Sequence, residues 1–168
     1  MMKEKRYGKA TFTAGCFWDV EAAFRGVDGV IETVAGYTGG VVPEPGYDQV
    51  ESGTTGHVHA VGLVFDPDRV SYEQLLDVFF RIHDPTQGDG QGDYQGTQYR
   101  SVIFVHDADQ DAAAHVARDR LAAGGIWGAR PILTAILPAS AFYPAEESHQ
   151  QFYEKCGRGL GASRQIYE

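Results

Sequence analysis

The chain has 168 residues, a length that suits one domain with a real core. Hydrophobic residues make up 43% and charged residues 22%, and the formal charge of −9 argues against nucleic acid as a partner, because phosphate contacts need clustered Lys and Arg. No stretch approaches the ~20 apolar residues of a membrane helix, the first ten residues lead into no apolar run, and two cysteines are too few for a disulfide framework, so a reducing cytoplasm is the expected setting.

In chain order, residues 9–15 (KATFTAG) read as a strand running into a turn. Residues 17–25 read as a helix, with Val20, Ala23 and Phe24 at helical spacing and Gly26 as the stop. Residues 30–40 read as a strand entering a glycine-rich loop, and 41–56 as a long irregular segment of the kind that often carries function. Residues 57–67 read as a strand closed by a turn at Asp66-Pro67. A helix follows, with Ser71 and Gln74 at capping-box spacing, an apolar stripe of Leu75, Leu76, Phe79 and Ile82, and Pro85 at its end. Residues 86–100 form a second long glycine-rich loop. Then come a strand (101–106), a capped helix ending at Gly124-Gly125, a strand (131–138) and a last helix starting near Pro144. Strands mixed with helices over these lengths predict a single α+β domain, a sheet with helices packed on it, with mobile tails near residues 1–8 and 157–168.

Several residues are candidates for chemistry. Cys16 precedes the first predicted helix, where unpaired backbone N–H groups and the positive end of the dipole favour a thiolate. A buried inert cysteine in a packing seam fits the same position. His57 and His59 alternate on one strand with Val61, Leu63 and Phe65, and a polar group on an apolar face needs a partner or a task. No His and Cys spacing suggests a metal site. Tyr47, Tyr94 and Tyr99 sit in the two long loops, where hydroxyls can bind substrate or merely anchor the loop. Cys156 lies near a glycine-rich tail, from which a second thiol could reach an oxidised first one.

Together "GCFWDVEAAF", "VAGYTGG", "SGTTGH", "FFRIHDPTQ", "GTQYRSVIF" and "FYPAEESHQQFYEK" resemble the A-type peptide methionine sulfoxide reductases, in order, from about residue 9 to 155. The resemblance implies a two-layer α+β sandwich around a mixed sheet and reduction of the S-epimer of methionine sulfoxide, free or in peptides. It implies that Cys16 is the nucleophile, that Phe17 and Trp18 hold the S-methyl group, and that Tyr47 and Tyr99 bind the sulfoxide oxygen. It further implies a monomer with no cofactor, reset by an external thiol reductant of the thioredoxin type through a resolving cysteine, here Cys156. Three positions depart from the family pattern. His59 stands where a proton-donating Glu is usual, Tyr94 stands where Asp is usual with Asp93 one residue away, and Cys156 lies a few residues early. His59 would then supply or position the proton, and Tyr94 and Asp93 would line the substrate. Two alternatives attach to these departures: a sulfoxide- or thioether-binding module without catalysis, and a Cys–His enzyme acting on another small substrate.

Overall fold

A single sheet organises the computed structural model, which describes residues 5–156. Its strands are β1 (Gly8–Thr13), β2 (Val30–Thr38), β3 (Val58–Phe65), β6 (Val102–Val105), β7 (Ala135–Pro138) and β8 (Phe142–Pro144), in the order β7-β6-β1-β3-β2-β8. All neighbours are antiparallel except β6 and β7. That parallel pair needs a crossover, which the helix α4 (Ala108–Ala123) supplies. β3 and β6 lie inside the sheet; β6 (VIFV) is apolar and buried at every residue, as a strand covered on both faces must be. The fold is therefore α+β with a mixed sheet, as expected.

The main core lies on the face that carries Phe12. Its ring stacks on Phe24 of α1 (Phe17–Arg25) at 5.0 Å and on Phe79 of α3 (Tyr72–Arg81) at 5.2 Å. Each such fully buried side chain contributes roughly 1.5–3 kcal/mol. Val58, Val102 and Phe104 form a smaller cluster of their own. α3 starts at the expected capping box: the Ser71 hydroxyl accepts from the Gln74 N–H at 3.1 Å, and the Gln74 side chain accepts from the Ser71 N–H at 2.8 Å. This helix stops at Arg81, before Pro85 is reached.

Three expectations need correction. The irregular segment 41–56 contains a short helix, α2 (Tyr47–Glu51). The loop 86–100 folds into a small hairpin, β4 (Gly90–Gln91) with β5 (Tyr94–Gln95), and a 3₁₀ turn over Thr97–Tyr99. The last helix does not start near Pro144, which ends β8; a 3₁₀ turn at Glu147–His149 follows, and α5 spans only Phe152–Lys155. The break falls at Gln151, whose φ of 47° is left-handed. Its backbone N–H donates to the buried Glu21 carboxylate at 2.7 Å, while the side chain of Gln150 bonds to both backbone polar groups of Ala35. Tertiary bonds to α1 and β2 override the local helical pattern. The expected tails lie mostly outside the described residues, and Gly8 already belongs to β1.

Candidate active site

β1 delivers the chain to Gly15, whose φ of +92° turns it into α1. Cys16 is the N-cap of that helix: its backbone is extended and its carbonyl accepts from the N–H groups of Asp19 and Val20. The thiol is only 2% exposed and sits at the positive end of a nine-residue helix. Gly15 and Cys16 thus hold the predicted positions.

Phe17 turns its ring into the core, 4.2 Å from the His59 ring and 5.6 Å from Tyr37. Phe17 and His59 therefore meet on one side of the sheet. Trp18 leans outward, stacks on Phe152 at 3.8 Å, and donates its indole N–H to His149 Nδ1 at 3.1 Å. The far side of the His149 ring stacks on Tyr47 at 4.3 Å. Phe17, Trp18, His149 and Tyr47 thereby make a continuous aromatic wall beside the thiol.

Three tyrosines bring hydroxyls to the site. Tyr47 opens α2, held there by its N–H donating to Glu146, which also accepts from the Tyr37 hydroxyl. Burial, helped by the negative charge of Glu51, pushes the Tyr47 phenol up to about 12. Tyr94 lies near Cys16, and burial first, then the charge of Cys16, raises its pKa as well. The Tyr99 hydroxyl donates to both carboxylate oxygens of Glu51 at 2.8 Å. All three phenols thus keep their protons at neutral pH and remain donors. His59 is fully buried in β3; its Nε2 lies 2.7 Å from Glu51 Oε1, and its Nδ1 has no partner among the described residues. Glu51 thus holds one ring nitrogen and leaves the other buried and unpaired among the described residues.

Comparison with known proteins decides the family. The pattern described as peptide methionine sulfoxide reductase matches residues 8–165. The chain is 51% identical to the peptide methionine sulfoxide reductase MsrA of Methanoculleus marisnigri, over 99% of this chain and 100% of the relative. The reduced form of Mxr1 from Saccharomyces cerevisiae superposes with a TM-score of 0.88 at 31% identity, covering 97% of this chain and 93% of that one. Mxr1 in complex with Trx2 shares the fold at 24% identity and a TM-score of 0.63, covering 99% and 94%. The chain belongs to the peptide methionine sulfoxide reductase family. It is an oxidoreductase that reduces methionine sulfoxide at the expense of a thiol.

Set against this family, the expected residues divide into two groups. Cys16, Phe17, Trp18, Tyr47, His59, Tyr94 and Tyr99 converge. Asp93 is exposed at the tip of the β4–β5 hairpin, and Cys156 is an exposed free thiol at the end of α5. Glu51, Glu146 and His149 were not singled out from the sequence. Glu51 closes α2 four residues after Tyr47, so one helical turn brings it back beside that tyrosine. Reading 41–56 as irregular concealed this spacing.

Proposed function

We propose that this reductase acts on the S-epimer of methionine sulfoxide, in peptides or free, with Cys16 as the nucleophile. The aromatic wall of Phe17 and Trp18 receives the S-methyl group, and the hydroxyls of Tyr47, Tyr94 and Tyr99 bind the sulfoxide oxygen. His59 supplies or positions the proton. Hydrogen bonding to the oxygen makes the sulfur electrophilic. The Cys16 sulfur then takes the oxygen: the bond from oxygen to the substrate sulfur breaks, a bond from oxygen to Cys16 forms, and the thiol proton ends on that oxygen. Methionine and a Cys16 sulfenic acid result. The Cys156 thiol attacks that sulfenic acid, giving a disulfide and water. A dithiol donor of the thioredoxin type exchanges into the disulfide and restores both thiols; a yeast protein of this fold bound to Trx2 supports that assignment.

Tyr94 stands where the family usually has Asp, and its place near Cys16 supports a donor role there. No helix among the described residues is long and apolar enough to cross a membrane. We place the protein in the cytoplasm as a monomer, where a reducing environment keeps both thiols available, with no cofactor beyond the external reductant.

The observation that carries this reading is the meeting of a helix-capping cysteine with three protonated tyrosine hydroxyls and an aromatic wall. Mass spectrometry after one equivalent of methionine sulfoxide without reductant tests it. Loss of two hydrogens from the intact protein is expected. A gain of one oxygen would remove Cys156 as resolver, and an unchanged mass would remove the reaction.

A further inference from the structure

The reductase reading leaves open which group holds the proton that the sulfoxide oxygen requires. His59 occupies the position where a carboxylic acid is usual, yet its ring is entirely buried and hydrogen-bonds to one partner among the described residues, Glu51. The Glu51 side chain is 30% exposed, so it alone of the pair can exchange protons with water. It reaches the site from α2, a different element.

Counting protons assigns the roles. Tyr99 has a single hydroxyl hydrogen, and both carboxylate oxygens of Glu51 lie 2.8 Å from that hydroxyl. While Glu51 is ionised, that hydrogen is spent on the carboxylate. Tyr99 can donate to a sulfoxide oxygen only when Glu51 gains a proton and becomes the donor to Tyr99. His59 already needs its Nε2–H for Glu51. Nδ1 is buried with no partner among the described residues to accept a further hydrogen, whereas the Glu51 carboxylate is part-exposed. The added proton therefore goes to Glu51.

We propose that Glu51 delivers the proton to the sulfoxide oxygen through the Tyr99 hydroxyl, with His59 as the residue that positions Glu51. In the resting site the hydrogen bond from His59, joined by that from Tyr99, holds the Glu51 carboxyl below its ordinary range. The other groups that face it are Tyr47 from the same helix and His149 from the C-terminal segment, with the Cys16 thiol beyond the tyrosines. Bound substrate excludes water from Glu51 and so favours its neutral form at the moment of need. The net balance is the same: the Cys16 thiol proton is released to water, the oxygen gains one from Glu51 through Tyr99, and Glu51 takes a proton back from water. Turnover accordingly rises as pH falls toward the carboxylic range.

The test is kcat and KM against pH for wild type, Glu51→Gln and the double variant Glu51→Gln/His59→Glu, with a methionine sulfoxide peptide and dithiothreitol. Glu51→Gln keeps the size and a hydrogen-bonding group, so KM should stay within about threefold while kcat falls about 100-fold and the acid limb moves. The double variant returns a carboxyl to the same neighbourhood and should recover at least about tenfold over Glu51→Gln, which a merely structural role would not produce. Wild-type turnover with Glu51→Gln equal to it in rate and pH profile overturns the delivery step alone. A wild type without turnover overturns the reductase reading and the delivery step together.

Discussion

The start of α1 and the end of α5 each carry a cysteine, and the two environments could hardly differ more. Cys16 is buried and caps a nine-residue helix anchored in the main core. Cys156 is exposed and ends a four-residue helix that is too short to be stable alone. What holds α5 is its attachment to α1. Tyr153 donates to Asp19, Phe152 stacks on Trp18, and Arg25 pairs with Glu154 in a bidentate contact. On the proposed mechanism one thiol reacts in a fixed place and the other comes to it. A disulfide needs Cα atoms within roughly 7 Å, and release of the short helix from α1 is the proposed route by which the exposed thiol meets the buried one.

The largest expected effect separates the two cysteines. Cys16→Ser should lower methionine formation on the order of 10⁴-fold or more with any reductant. Cys156→Ser should keep turnover with dithiothreitol, which can reduce a sulfenic acid directly, and lose it with thioredoxin after one methionine per protein. Equal loss in both variants under dithiothreitol would break the comparison. A smaller effect sharpens it: Tyr153→Phe removes the bond to the buried Asp19 and should cost about 2 kcal/mol in urea denaturation. The same variant should also speed Cys16–Cys156 disulfide formation after a single turnover, read by quenched-flow thiol labelling. A rate equal to that of wild type would show that α5 need not leave α1.

The smallest effect lies at the hinge between the two regions. Burial lowers the pKa of His149 below the ordinary 6.5, and its unprotonated Nδ1 accepts from the Trp18 indole. The unfolded chain binds the proton more readily than the folded one. The stability from this contact is therefore present above pH 6.5 and is lost as pH falls from there through the lower folded value. The urea midpoint and the Trp18 fluorescence should both change over that window. In His149→Phe this share of the pH dependence should vanish.

Much of the site was legible because its signals are local. The helix cap at Cys16 follows from Gly15 and the apolar period after it, and the Ser71 and Gln74 box needs four residues only. The quoted segments together carried the family, including the tyrosines at 47 and 99. Glu51 was not legible, since its meaning depends on α2 bringing it against β3 and the turn before β6, elements joined by no local pattern. The extent of the last helix was missed for a related reason: Glu21 and Ala35 claim the polar groups of Gln150 and Gln151, and nothing near those residues in the chain announces it.

The sequence by itself determined the main strands and helices, the cap at Cys16 and the aromatic residues beside it, because caps, periods and turns act over a few residues. Only the tertiary structure decided which carboxylate serves His59 and Tyr99, and that Cys16 is buried while Cys156 is exposed. Those outcomes rest on hydrogen bonds and burial between elements far apart in the chain, whose energies exist only once the sheet has brought them together.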